Sequence, residues 1–468
     1  MRDGLYHAWL DRLSPVQFLA LSFVVAIILG SILLLLPVST TEPITPIDAL
    51  FTATSAVCVT GLIVVDTGTR FTPFGQGVIL ALIQFGGLGI MTTSSFLLLA
   101  FRQRTSLRNL IMLREEYTVT GFGSAWQLIL TIALFTVGAE VVGAVVLTQR
   151  FAETPSLAHN AVWCGIFHSI SAFCNAGFSL FSTSFTGYRG DVTVNLTVPL
   201  LIILGGIGFP VIIGLCRTGW ARVCRRRRVL TLHAKIVLIS TLALLAAGTA
   251  AFLAMEWGSA QLDGAGLSER LGTAWFQSVT TRTAGFNTLD FAAASEPTLL
   301  TAIILMIIGG SPGSAAGGIK TTTFVVILLV VIAWLRGQDR VEAGKRTIPN
   351  DVIMRALVVA VLGVALIVAG TLLLLLTDGS RVQAALDAAG VQHGSFVSLL
   401  FEVVSAFGTV GLSVLDTATT GALTWMGKLV IIVVMYLGRL GPLALAQMVL
   451  TSRRPINYRY PEEHLLVG

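Results

Sequence analysis

Long uncharged apolar runs constrain this chain more than any other feature. A helix needs roughly 20 apolar residues to cross a bilayer core about 30 Å thick. The 468-residue chain is 54% hydrophobic and 12% charged, and eight runs approach that length. They occupy residues 16–36, 78–101, 125–147, 196–215, 236–255, 298–335 with a polar interruption, 356–376 and 429–450. We therefore expect an integral membrane protein whose first run is a retained helix and not a cleaved signal peptide.

Basic residues are unevenly distributed among the segments that connect these runs. Lys and Arg concentrate on the cytoplasmic side of membrane proteins. The chain ends and the even-numbered connections hold 21 of the 30 basic residues, which predicts that both termini are cytoplasmic. The odd-numbered connections contain acids such as Asp66, Asp191 and Asp290, so the outer face should attract cations. The net charge of +6 thus reflects topology, and we expect no nucleic-acid partner.

Four short stretches align without gaps at intervals of about a quarter of the chain. They read SAVCVTGL at 55–62, SAFCNAGF at 171–178, VTTRTAGF at 279–286 and SAFGTVGL at 405–412. Each follows an apolar run of about a dozen residues, too short to cross the membrane. Each precedes a long run with a cluster of small residues, which we interpret as a break in a spanning helix. The clusters are GGLG at 86–89, GGIG at 205–208, GGSPG at 309–313 and GRLG at 438–441. The pattern predicts four repeats, at 1–118, 119–230, 231–347 and 348–468.

Each repeat crosses the membrane twice, so all four have the same orientation and can surround an axis along the membrane normal. We expect an all-α polytopic membrane protein of four pseudo-symmetric units around a central pore, like a potassium channel. Each unit would consist of a helix, a pore half-helix, a filter loop and a second helix. Inverted-repeat transporters, the main alternative, have antiparallel halves.

The four aligned stretches, which we call the strips, are candidates for an ion filter. Non-helical backbone at membrane depth must be buried in protein or line a water-filled cavity. Backbone carbonyls around an axis can replace the hydration shell of a monovalent cation, and glycine reaches positive φ without steric cost. A single such glycine is more often an ordinary loop residue, but four in register favour a filter. The candidate residues are Val57, Cys58, Val59, Thr60, Gly61, Cys174, Asn175, Ala176, Gly177, Thr281, Arg282, Thr283, Ala284, Gly285, Gly408, Thr409, Val410 and Gly411.

The third unit departs from the others at GGSPGSAAGGIKTTT, residues 309–323. Its Pro and Gly residues interrupt an apolar run, and its lysine adds a charge near membrane depth. We expect a gate beneath the filter; a simple helix kink is the alternative. A phosphate-binding loop is disfavoured because Ile319 separates Gly318 from Lys320. The candidate gate residues are Gly309, Gly310, Ser311, Pro312, Gly313, Gly317, Gly318, Lys320 and Arg439.

Charged residues also lie within apolar or filter segments, among them Glu140 of the third apolar run, for which the sequence indicates no partner. Arg439 replaces a glycine in the fourth cluster, GRLG, and should face the cavity, form an electrostatic barrier and contact the gate. Arg282 should point away from the pore, with Glu402 as its candidate partner. No catalytic constellation is present among the histidines or carboxylates, so we expect neither an enzyme nor a covalent cofactor.

The strips and glycine clusters resemble those of the Trk/Ktr/HKT superfamily of potassium-translocating membrane proteins, most closely the KtrB membrane subunit of bacterial Ktr uptake systems. The resemblance implies potassium uptake, with potassium on the filter carbonyls and sodium as a candidate activator. It also implies a homodimer in the inner (plasma) membrane, resting on a cytosolic KtrA-like ring of nucleotide-binding regulatory subunits and gated by the intramembrane loop. A sodium-coupled or sodium-permeable secondary transporter remains the alternative.

Overall fold

The computed structural model describes residues 15–101, 125–225, 229–391, 393–415 and 420–441. This part of the chain is mostly helical, with one two-stranded antiparallel hairpin, Glu342–Ala343 with Arg346–Thr347. The all-α membrane fold predicted from the sequence is confirmed. The predicted cytoplasmic termini lie largely outside the described residues, as does the end of the eighth apolar run.

Four helices begin the units, and we call them the first helices. In the described part of the chain these four are single helices long and apolar enough to cross a membrane, and the bent second helix of the second unit supplies a further candidate span. Between 22% and 28% of each spanning window is buried, so most of their apolar surface faces outward, as expected against lipid. The first helices are Pro15–Leu34, Ala125–Ala152, Leu232–Met255 and Asn350–Ala389.

Four short helices follow, and we call them the pore helices. They contain 12 to 14 residues, roughly 18–21 Å at 1.5 Å per residue, about half of the bilayer thickness. The first begins with a side-chain cap, because the Thr45 hydroxyl accepts from the Asp48 N–H. Pro46 follows at the first helical position, where its fixed φ suits a helix. The pore helices are Pro46–Val57, Ala161–Phe173, Leu267–Thr280 and Ser395–Gly408.

The second helices complete the units and differ among them. The first, Pro73–Phe101, is continuous, so the predicted break at residues 86–89 is wrong. The second bends by 101° between Val192–Gly206 and Phe209–Val223. The third consists of Glu296–Ile307 and Thr321–Leu335, separated by an irregular loop. The fourth, Trp425–Leu440, ends before Gly441, whose φ is +85°.

Packing between units follows a cyclic order. The second helix of each unit contacts the pore helix of the next, and the second helix of the fourth unit contacts the pore helix of the first. A buried ion pair lies at that closing contact. Lys428 Nζ, on the fourth second helix, is 2.7 Å from Asp48 Oδ1 at the start of the first pore helix. The first and fourth units therefore close the four units into one ring of helices.

Removal of one partner of this ion pair should destabilise the ring. In Lys428→Met, Asp48 keeps a buried charge without its counter-ion, which typically costs about 3–5 kcal/mol. We expect a clearly lower thermal unfolding temperature in detergent. The matched control is Lys345→Met, at an exposed lysine of the hairpin. Equal melting temperatures for both variants would show that the pair does not hold the closing contact.

Candidate ion filter and gate

Each of the four strips contains the same pair of left-handed residues. The glycine near the end of each strip has positive φ, and so does the residue two positions before it. Three of the latter are β-branched, and such a conformation costs an L-residue roughly 1–2 kcal/mol. Strain of this kind persists only when the surrounding structure imposes it. The pairs are Val59 with Gly61, Asn175 with Gly177, Thr283 with Gly285, and Thr409 with Gly411.

The four glycines form a closed ring. A Cβ on Gly61 would collide with the Ala176 carbonyl and lie 3.0 Å from the Gly177 Cα. A Cβ on each following glycine would collide in the same way with the next strip, and one on Gly411 would meet the Thr60 carbonyl and the Gly61 Cα. Side-chain carbons are therefore excluded at this level, and four backbones enclose the axis.

The pore helices hold the strips through one hydroxyl residue each. The N–H that precedes each ring glycine donates to the carbonyl of this residue, at 2.7–2.9 Å. In the third unit the hydroxyl lies five residues before the glycine, and in the others it lies six before. The sequence analysis missed these positions, although a serine begins three of the four aligned strips. They are Ser55, Ser171, Thr280 and Ser405.

The side chains of the predicted filter residues are buried behind these strips. All of them with a side chain are at most 8% exposed, and most are at 0–1%. The Asn175 side-chain amide lies 3.5 Å from the Thr283 hydroxyl of the next strip. The backbone and not the side chains therefore surrounds the axis at the ring.

Glycines of the second helices allow close approach to the carbonyl ends of the pore helices. A Cβ on Gly86 would collide with the Val57 carbonyl, and one on Gly205 with the Phe173 carbonyl. Gly438 stands in the same relation to the Phe407 carbonyl. Glycine is required at these positions because the backbone of the second helix lies against the backbone of the pore helix. This holds whether or not the second helix breaks there.

The break in the second unit has a local cause. Gly208 adopts φ +92°, and Pro210 has no N–H to donate to the Gly206 carbonyl four residues earlier. The carbonyls of Gly205 and Gly206 are thus left without their helical donors.

The irregular loop of the third unit, residues 308–320, satisfies these groups. Ala315 N–H donates to Gly205 O at 3.1 Å, and Ser311 N–H donates to Gly206 O at 3.0 Å. The Phe209 N–H in turn donates to Gly313 O at 3.1 Å. The loop is therefore bonded to the broken helix of the neighbouring unit.

The same loop also contacts the fourth unit. The Arg439 guanidinium, 5% exposed, donates to the Ala315 carbonyl and, at 3.0 Å, to the Gly86 carbonyl of the first unit. A Cβ on Gly317 would collide with the Thr409 side chain of the fourth strip. Lys320 Nζ donates to the Ala316 carbonyl within the loop. The predicted gate residues, including Arg439, thus lie together next to the predicted filter strips.

Arg282 and Glu402 do not form the predicted ion pair. Glu402 Oε1 instead accepts from Ser413 Oγ and, at 3.1 Å, from the Val414 N–H, which holds the segment after the fourth strip. Arg282 is 8% exposed and its Nε has no hydrogen-bond partner in the described part of the chain. The predicted pairing is wrong. Arg282 lies in an irregular strip, where the position of a residue in the sequence does not indicate where its side chain points.

Glu140, which the sequence left without a partner, lies behind the second strip. Gln84 Nε2 donates to Glu140 Oε2 at 3.2 Å, and Cys174 Sγ lies 3.9 Å from Glu140 Oε1. The carboxyl therefore joins the first unit's second helix to the filter of the second unit.

A cavity of about 870 Å³ opens on the side of the outer connections. The four ring glycines form its base, and Asp66 and Asp290 are among its lining residues. The ring of glycine backbones therefore borders a wide polar cavity, which we call the vestibule.

Comparison with known proteins agrees with this architecture. The family model described as TrkH, cation transport protein, matches residues 15–453. The chain belongs to this family. It is 39% identical to the Ktr system potassium uptake protein B of Bacillus subtilis (strain 168), over 98% of this chain and 97% of that protein. It is 38% identical to the potassium/sodium uptake protein NtpJ of Enterococcus hirae, over 98% of each chain.

The TrkH fold is also evident from a solved structure. The potassium transporter TrkH from Vibrio parahaemolyticus superposes with a TM-score of 0.69, covering 93% of this chain and 84% of that one, at 19% identity. At that identity the likeness concerns the fold alone. Members of the TrkH family are transporters, which agrees with the expectation that this chain is not an enzyme.

Proposed function

We propose that this TrkH-family chain is the pore-forming membrane subunit of a potassium uptake system. The closed ring of four glycine backbones, in which each strip meets the next, supports this proposal most directly. The names of the two curated relatives support potassium as the transported ion.

Transport would begin in the vestibule, where Asp66 and Asp290 raise the local cation concentration. At the ring the ion would exchange water for backbone carbonyl oxygens, including those of the predicted filter strips. The carbonyl ends of the four pore helices point toward the strips, and their negative helix-dipole ends favour a cation there. The strained φ angles fix these oxygens before the ion arrives, so little reorganisation accompanies dehydration.

The loop at residues 309–323 would act as the gate. It is bonded to the second unit and to Arg439 of the fourth, and it touches Thr409 of the filter. A segment held at both sides of the axis can close the passage, and Arg439 would add an electrostatic barrier for cations.

The assembly completes the proposal. The four units at 1–118, 119–230, 231–347 and 348–468 would each supply a quarter of the pore. The protein would form a homodimer in the inner membrane, with both termini cytoplasmic. The dimer would rest on a nucleotide-binding KtrA-like ring, since the name of the Bacillus relative describes one protein of a Ktr system. Sodium is a candidate activator or second permeant ion, because the name of the Enterococcus relative includes it.

Ion flux into liposomes that contain the purified protein tests the pore. We expect potassium and rubidium to enter faster than sodium. Gly61→Ser places a side chain inside the ring and should lower the potassium-to-sodium ratio at least about tenfold, equivalent to about 1.4 kcal/mol. The control is Gly77→Ser, at a position with open space around it. The proposal fails if the wild-type protein carries none of these ions.

Deletion of residues 312–318 tests the gate. If the loop leaves the passage open only about a tenth of the time, its removal should raise potassium flux up to about tenfold. Unchanged or lower flux in a protein of normal melting temperature would contradict gating.

Arg439→Ala separates an electrostatic role from a structural one. The variant loses the bonds to Ala315 and Gly86, so we expect a change in potassium flux of about threefold or more, with a small change in melting temperature. Arg336→Ala, at an exposed arginine, is the control. A large loss of stability with unaltered flux would assign Arg439 to the fold.

A further inference from the structure

The four hydroxyls that hold the filter do not make the same hydrogen bonds. In the first and fourth units the hydroxyl accepts from the ring glycine's N–H, at 3.1 Å from Ser55 to Gly61 and 3.0 Å from Ser405 to Gly411. In the second and third units it donates to the carbonyl of the residue after the glycine. Ser171 Oγ is 2.8 Å from Phe178 O, and Thr280 Oγ1 is 2.5 Å from Phe286 O.

These contacts divide the ring into two halves at its outer end. Ser171 and Thr280 are fully buried on the pore helices, so a carbonyl bonded to either points back toward its own helix and away from the axis. No group in the described part of the chain donates to the equivalent carbonyls, those of Leu62 and Leu412. Two of the four carbonyls at this level are held back. The other two accept no hydrogen bond from the described residues, and we call them the open carbonyls.

Packing fixes the two held carbonyls in place. Phe178 and Phe286 are fully buried, and the Phe286 ring lies 5.2 Å from that of Phe185. The sequence carries the same division, since the ring glycine precedes leucine in the first and fourth units and phenylalanine in the second and third. Because the first and fourth units are neighbours in the ring, the two open carbonyls lie on one side of the axis.

We propose that the outer end of the filter binds a monovalent cation away from the axis, on the carbonyl oxygens of Leu62 and Leu412. The half of the ion that faces the second and third units keeps its water. Dehydration then proceeds in two stages, with a half-hydrated ion above the glycine ring. This site rests on the proposed function and specifies how an ion enters the filter.

Rubidium in crystals of the full chain tests the site directly, by anomalous scattering. We expect a peak above the glycine ring that is nearer to the Leu62 and Leu412 oxygens than to those of Phe178 and Phe286. A peak equidistant from all four, or no peak at this level, would overturn the proposal. Absence of rubidium from the whole filter, together with no wild-type flux, would instead refute the pore itself.

Paired variants give a second, independent measurement. The double variant Ser171→Ala with Thr280→Val releases the carbonyls of Phe178 and Phe286, which could then also bind the ion. The apparent KM for potassium uptake should therefore fall about threefold, as expected for one additional weak contact. The double variant Ser55→Ala with Ser405→Ala releases no carbonyl. It removes the hydrogen bonds that hold the first and fourth strips, which carry the proposed site, so the apparent KM should rise. Shifts of both pairs in the same direction would indicate four equivalent structural hydroxyls and would contradict the asymmetric site.

Discussion

The contact among the backbones of Gly61, Gly177, Gly285 and Gly411 is the constraint on which the other features depend. No Cβ fits between neighbouring strips, so these positions must be glycine. The residue two positions earlier must then accept a left-handed conformation, even where it is Val59 or a threonine. A single strip could not hold that conformation alone. Each is fixed by the last turn of its pore helix, and each pore helix packs against the second helix of the preceding unit.

The glycine clusters of the second helices extend the same constraint outward. Gly86, Gly205 and Gly438 let those helices approach the carbonyl ends of the pore helices, where a larger residue would push the strips apart. Where Pro210 also removes a donor, the helix opens and its free carbonyls bind the loop of the third unit. The break and the loop are therefore one structural feature shared by two units, and the proposed gate depends on both.

Sequence reasoning reached the fold because the repeat signal is carried by spacing. Four ungapped strips with glycine at one position predicted the units and the left-handed glycines. Sequence reasoning failed where the local structure depends on tertiary contacts. The cluster at 86–89 was interpreted as a break, yet without a proline the helix keeps all its donors and continues. The Arg282–Glu402 pair was wrong because Glu402 is taken up by the backbone after its own strip. The partner of Glu140, Gln84, lies on a different unit, and no local pattern indicates it.

One chain supplies all four quarters of this ring, and that has a genetic consequence. In a pore of four identical subunits, every substitution appears four times, and the passage must stay symmetric. Here a single codon alters one quarter only. The leucine and phenylalanine that follow the ring glycines, and the one-residue shift of the Thr280 hydroxyl, are differences that a tetramer of identical chains could not contain. Each side of the ring can therefore change separately under selection, while the other three keep it closed.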